Sequence, residues 1–386
     1  MAVATRTMSK TAAGKNGKLQ TTDAEIKTDA NGPKDFFWTY TEEPHRTRRL
    51  EIIKKHPELA RRLKQTADTA QVTKLCGPEP LTKYLVIAVV ALQVALAVYL
   101  QPTPFWSLKF WAIAYVIGAT ANQNLFLAIH EISHNLAFKN PMANRLLAIV
   151  ANLPIGIPYS ASFRPYHLTH HKSLGVDGLD TDLPTALEAF FLDSIFGKAF
   201  FCTFQIFFYA IRPMTVYRVP LTRIHALNIA VQVAFDAVLI HYTSSKALLY
   251  LLLSSFLAGS LHPVAGHFIA EHYVYETVTP TQRDPANKIP VPETFSYYGP
   301  LNWFTYNVGL HNEHHDFPAI PWTRLHKVNR IASEFYDDLP RHESWVYAIW
   351  RFIWDDSVGM NCRVKRQNGG RLVGGAVSWK ESEIQA

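Results

Sequence analysis

The chain has 386 residues, a formal charge of +7 at pH 7, 48% hydrophobic and 13% aromatic residues. The modest positive charge comes with no basic helix or base-stacking module, which argues against nucleic-acid binding and suits loops that face an anionic membrane leaflet. Cys76, Cys202 and Cys362 lie far apart without a C-x-x-C, so a reducing compartment is expected rather than a disulfide framework or a thiolate metal site.

Residues 1–31 are polar and Thr/Lys/Gly-rich, which predicts a disordered tail with no secretory signal. Ala2 excludes N-myristoylation, which needs Gly there. From Asp35 the texture changes, through Asp-Phe-Phe-Trp-Thr-Tyr and Pro44-His-Arg-Thr-Arg-Arg49, into a basic helical pattern over 44–65. That pattern suits a helix on a membrane surface as well as one packed on the domain.

Apolar runs at about 84–101 and 110–129 are each close to the ~20 residues that cross a bilayer, and the short turn between them predicts a hairpin. A second hairpin is expected from runs at about 224–241 and 246–262. Leu146–Tyr159, broken by Asn152, Pro154, Gly156 and Pro158, reads as re-entrant or interfacial, and so does Phe190–Ile211, which carries Asp193 and Lys198. The turns near 101–109 and 242–246 hold little basic charge, so the positive-inside rule places both termini and the middle segment in the cytosol. The plan is an all-α integral membrane protein with four transmembrane helices in two hairpins. It has a tail (1–31), a cytosolic arm (32–76), a membrane domain (77–320), and cytosolic C-terminal helices with a flexible tail (321–386).

Three histidine clusters organise this plan: His130-Glu-Ile-Ser-His134, His167-Leu-Thr-His170-His171 and His311-Asn-Glu-His314-His315. Members of each cluster stand three or four positions apart, which puts them on one helix face. Eight imidazoles exceed what one metal takes, so a two-metal site is expected, and it requires an even number of crossings between clusters. Imidazole suits iron and zinc alike, but removing hydrogen from an unactivated C–H bond needs redox chemistry, which ranks iron first. His130-Glu131-x-x-His134 also matches the zinc metalloprotease pattern H-E-x-x-H. A catalytic zinc takes three protein ligands, though, and five further clustered histidines would have no role. Glu131 therefore reads as an orienting partner. His272 is the expected ninth ligand, with His267 in reserve. Asn307, one helical turn before His311, is a further candidate at or beside the metal, and Asp177, Asp180 and Asp182, just after the second cluster, could orient ligands, with Asp182 the one named as a candidate. A membrane metal transporter or haem protein is the rival outside enzymology; it predicts ligands within the spans.

Three stretches carry a family likeness: Asp35-Phe-Phe-Trp-Thr-Tyr with Pro44-His-Arg-x-Arg-Arg, Ala128-Ile-His-Glu-Ile-Ser-His-Asn135, and Tyr306-Asn-Val-Gly-Leu-His-Asn-Glu-His-His-Asp-Phe-Pro318. Over about residues 35–355 the chain resembles the sphingolipid delta-4 desaturase branch of the membrane fatty acid desaturases. The resemblance implies a non-haem di-iron enzyme of the endoplasmic-reticulum membrane that forms a trans double bond between carbons 4 and 5 of dihydroceramide. It further implies O2 as co-substrate and electrons from NADH through a reductase and a separate cytochrome b5, since no His-Pro-Gly-Gly haem motif is present. Hydroxylation of carbon 4 is the near alternative on the same scaffold.

Overall fold

The computed structural model describes residues 34–39, 42–57, 75–276, 291–371 and 377–378. The tail 1–31, residues 58–65 of the basic pattern and residues 372–375 lie outside the described residues. The fold is mostly helical, with two-stranded pairings in place of any larger sheet.

Helix α1 (Pro44–Lys55) opens the described arm. Helix α2 (Leu81–Tyr99) runs into the Pro102/Pro104 turn, and Ser107 restarts the chain by accepting the Phe110 amide at 3.2 Å. Helix α3 (Leu108–Ser133) follows and contains a π-helical turn at Ala114–Ala119. Helices α2 and α3 are each long and apolar enough to cross a membrane. The π-turn suits close packing: a Cβ on Gly118 would lie 2.4 Å from Ser254 Oγ. Buried polar side chains join the helices here. Gln93 donates to the Gly118 carbonyl, Asn122 to Ser255 Oγ, and Tyr250 to Gln93 Oε1. Such bonds leave no polar group unpaired in an apolar surround and tie helices together.

Asn140 caps helix α4 (Pro141–Asn152). A short 3-10 turn then ends at Gly156, whose φ of +80° is a conformation that favours glycine. Helix α5 (Ser160–Lys172) leaves at 114° to the α4 segment. The sharp bend in Leu146–Tyr159 has its cause in this left-handed glycine and the prolines beside it.

Two of the apolar stretches take a definite form. The expected interfacial stretch Phe190–Ile211 lies largely within one continuous helix, α7 (Ile195–Val216), which follows the short α6 (Ala186–Phe191) and by length and composition also qualifies as a span. Its first turn begins only after Asp193, with Ser194 as the cap, and Lys198 is buried, so neither charge interrupts the helix. Helix α8 (Arg223–Tyr242) matches the third expected span. The fourth does not form as one straight rod: α9 (Ser245–Ala258) has 14 residues and bends by 45° into the Pro263–Ala270 segment, which ends in the short helix α10 (His267–Ala270). Gly259 and Pro263 supply the break.

Helix α11 (His311–Asp316) carries the third cluster, α12 is Leu325–Ile331, and α13 is Trp345–Trp354. Strand β1 (Phe37–Trp38) pairs in parallel with Val364–Lys365, which brings the N-terminal arm against the C-terminal segment.

Candidate metal centre

The three clusters meet. The end of α3 brings His130 and His134, α5 brings His167, His170 and His171, α11 brings His311, His314 and His315, and His272 arrives just after α10. Two compact groups result. His130, His134, His167, His171 and His314 place one nitrogen each within 4.8 Å of all the others, and His170, His272 and His315 do the same. His311 joins the second group through His272, Nε2 to Nε2 at 2.9 Å. The other close Nε2 pairs are His130–His314 and His134–His167 at 2.8 Å, and His171–His314 and His170–His272 at 3.2 Å. Metal–imidazole bonds of ~2.1 Å put neighbouring ligands of an octahedral ion about 3 Å apart, close to these separations.

The protonation pattern can be worked out at one pair. His272 Nδ1 donates to the Glu293 carbonyl at 3.0 Å, and His311 Nδ1 donates to the Val308 carbonyl at 3.2 Å. Burial is the largest force keeping both rings neutral, and it pushes His311 down to about 4. Each ring therefore presents a bare Nε2 lone pair, and the two lone pairs face each other at 2.9 Å. A cation shared between them, a metal ion or a proton, makes that contact favourable. Burial, followed by repulsion among neighbouring imidazoles, likewise holds His314 and His315 neutral, the form that binds metal. His171 Nδ1 and His315 Nε2 are buried without a hydrogen-bond partner.

The outer partners differ in part from expectation. Asp180 lies 2.8 Å from His170 Nδ1, whereas Asp182 is 3.6 Å away. Glu131 accepts the Trp322 amide and bonds no imidazole among the described residues. His267 sits between Gln123 and Glu271, outside both groups. Asn307 donates its Nδ2 to the Trp322 carbonyl at 2.9 Å. The residues before His311 are not helical, and Asn307 has a φ of +52°, so the one-turn spacing assumed for it does not apply.

Sequence reading gave no role to a second layer that proves extensive. Asp316, fully buried, accepts from Arg48 Nε at 2.7 Å and Tyr336 Oη at 2.9 Å and lies 2.7 Å from His45 Nδ1. His45 also reaches Thr294 Oγ1 at 2.7 Å and packs its ring 4.9 Å from that of His315. Arg366 makes a buried ion pair with Glu293, whose carbonyl holds His272. The arm motif Pro44-His-Arg-x-Arg was visible in the sequence, but a lone histidine there reads as ordinary structure.

Comparison with known proteins agrees with this site. A fatty acid desaturase model matches residues 110–347, and a sphingolipid Delta4-desaturase model matches residues 32–61, the arm that braces Asp316. The chain is 54% identical over 352 residues to a sphingolipid delta(4)-desaturase of Komagataella phaffii, covering 91% of this chain and 94% of the relative. It is 53% identical over 339 residues to the sphingolipid delta(4)-desaturase of Schizosaccharomyces pombe, covering 88% and 90%. A human relative, named sphingolipid delta(4)-desaturase/C4-monooxygenase, is 45% identical over 335 residues, covering 86% and 95%. Histidine groups, arm and overall similarity together place this chain in the sphingolipid delta(4)-desaturase family of the fatty acid desaturases.

Proposed function

We propose that the chain introduces the trans double bond between carbons 4 and 5 of the sphingoid base of dihydroceramide, giving ceramide. The observation that carries this reading is the pair of bare Nε2 atoms of His272 and His311, set within a nine-histidine site on a chain so similar to sphingolipid delta(4)-desaturases. His130, His134, His167, His171 and His314 would hold one iron, and His170, His272, His311 and His315 the other. When bound, the metal pair would supply the oxidising power, with O2 taking up two substrate hydrogens, two external electrons and two protons to leave as two waters. The chain's own part is positional. The Glu293 and Val308 carbonyls fix the tautomers of His272 and His311, and Asp180 orients His170. Asp316 anchors the end of α11 to the arm.

The electrons are assigned to NADH through a reductase and a separate cytochrome b5. The endoplasmic-reticulum membrane is the assigned location, with the site and both termini cytosolic. Helix α7 supports that topology by how it packs. Lys198 at its start donates to the carbonyls of Asp355 and Val358, and Arg212 near its end pairs with Glu188. Those residues are roughly 21 Å apart along the axis. A helix held at both ends by the histidine-bearing side lies along that side rather than crossing, which keeps an even number of crossings between clusters.

Carbon-4 hydroxylation is the second reading, favoured by the names of the human and bovine relatives. Both outcomes begin with the same hydrogen abstraction. Expression in cells that lack delta-4 desaturation separates them by lipid analysis: ceramide should appear at the expense of dihydroceramide. A 4-hydroxylated base as the dominant product favours the second reading, and an unchanged lipid profile refutes both.

A further inference from the structure

Beside α3, residues of α3, α4, α5 and the start of α8 line a shallow cleft that is partly open to the outside. Its walls are apolar, formed by Ile129, Ile132, Ala148, Ile149 and Ile224. Two arginines also line it, Arg145 from α4 and Arg164 from α5, and no carboxylate does. The two guanidiniums are close enough to repel one another. Arg164 Nε is buried and has no acceptor among the described residues. A third donor adjoins them. Asn228 is 1% exposed and accepts from Ser160 Oγ and the Ala161 amide on the cleft wall, each at 3.2 Å, while its own Nδ2 has no acceptor among the described residues.

Everything unsatisfied here is a donor or a positive charge. A buried donor left without an acceptor is costly, and like charges brought together in a partly apolar site add to that cost. The complement is a ligand rich in acceptors and negatively charged. The apolar walls demand that the same ligand carry hydrocarbon. Beside the cleft, Met142, Leu146 and Ile157 are about half exposed, as side chains facing lipid are. The neutral headgroup of dihydroceramide offers acceptors but no charge to offset two arginines.

We propose that this cleft binds one anionic phospholipid, its phosphate between Arg145 and Arg164 and part of an acyl chain against the isoleucines. The inference rests on the membrane reading of the chain, not on which lipid is desaturated. It has a bearing on the metal centre because Arg164 lies one turn before His167 and its charge acts on His134. A phosphate there offsets that charge, and a lipid joining α4 to α5 steadies the helix that carries the second cluster.

The test uses the purified, iron-loaded protein and lipid nanodiscs made of phosphatidylcholine alone or of phosphatidylcholine with phosphatidylserine. Native mass spectrometry after delipidation should show one phosphatidylserine retained in preference to phosphatidylcholine, together with a higher melting temperature in the anionic discs. Arg145→Gln should weaken that preference about fivefold, as for one basic residue at an anionic surface, while Arg145→Lys keeps most of it and the iron content of both stays as in the wild type. A photoactivatable phosphatidylserine should label the wild type on 141–152 or 223–228, which needs no variant to fold. Equal retention of both phospholipids, labelling confined to other helices, displacement of phosphatidylserine by dihydroceramide, or the same stabilisation from inorganic phosphate without lipid each overturns the proposal. Since wild-type desaturation is scored separately, failure here is distinct from failure of the assigned reaction.

Discussion

Arg48→Met isolates what the N-terminal arm contributes to the metal centre. Arg48 donates to both carboxylate oxygens of Asp316, at 2.7 and 3.2 Å, and to Asn312 Oδ1 at 2.9 Å. The Asp316 side chain is 0% exposed and that of Arg48 13%. Met keeps the stem but strands a buried carboxylate that retains only His45 and Tyr336. Removing one partner of a buried pair typically costs about 3–5 kcal/mol, and the water still reaching Arg48 places this case near the low end, about 3 kcal/mol. In the wild type, burial alone would raise the Asp316 pKa, but Arg48 and then His45 outweigh it and hold the carboxyl below its ordinary value. A depressed carboxyl pKa stabilises the fold above the unfolded value of about 3.9, and that contribution is lost as pH falls through the folded one. Without Arg48 the loss should begin at higher pH, so acid unfolding moves upward. The assays are thermal melts against pH and iron per chain. The variant should melt lower, shed iron more readily to a chelator and recover only in part in Arg48→Lys. In the double variant Arg48→Met/Asp316→Asn, the two losses should sum to less than their separate values. A single variant with wild-type melting and iron retention would refute the bracing role.

The remaining predictions concern the second histidine group and α7. His272→Ala should lose roughly half of the bound iron, because ligands of only one of two metals are touched, whereas His267→Ala should keep both; metal analysis of the purified variants decides. Arg366→Met removes the ion pair behind Glu293, whose carbonyl holds His272, so it should lower iron affinity about 10–100-fold, the usual scale for such outer partners, and unaltered affinity in a chelator competition would contradict it. Arg212→Met should destabilise the protein near neutral pH and flatten its loss of stability on acidification. Burial raises the pKa of Glu188, but Arg212 more than compensates, so the pair's contribution stands above the ordinary carboxyl pKa and disappears as pH falls through the depressed one. Melts of wild type and variant across acidic pH should converge; parallel curves would count against the pairing.

The site was legible where chemistry repeats at helical spacing. His130 with His134, the trio on α5 and the trio on α11 each show the three- and four-residue offsets of one helix face, and all three clusters meet. The surroundings of Asn307 were less legible. The backbone turns into left-handed conformations at Tyr306 and Asn307, which local sequence hardly signals. The fourth apolar run was legible in place but not in the size of its bend, because hydropathy counts apolar residues without regard to direction, and Gly259 with Pro263 redirects an apolar run without interrupting its composition. Helix α7 shows the converse. Lys198 reads as an interruption in the sequence, yet in the fold it reaches two backbone carbonyls and is almost fully buried. The partners that satisfy it lie about 160 residues away, beyond the reach of any local pattern.

That distance explains how the two histidine groups are built. The first group draws on the ends of α3 and α5, which pack directly on each other, and takes only His314 from further along. The second takes one histidine from each of α5, the turn after α10 and both ends of α11, so no local element can preassemble it. Its rigidity has to come from outside, and it comes from both ends of the chain. The arm reaches it through His45 and Arg48 on Asp316, and the C-terminal segment reaches it through Arg366 on Glu293. The β1 pairing of Phe37–Trp38 with Val364–Lys365 then locks those two supports to each other. A strap of this kind joins both ends of the chain to the second group. The sphingolipid Delta4-desaturase model covers residues 32–61 and the broader fatty acid desaturase model begins only at residue 110. The arm is thus matched by the sphingolipid model and lies outside the broader one, and its contacts through Asp316 fall on the half whose histidines come from the most separate elements.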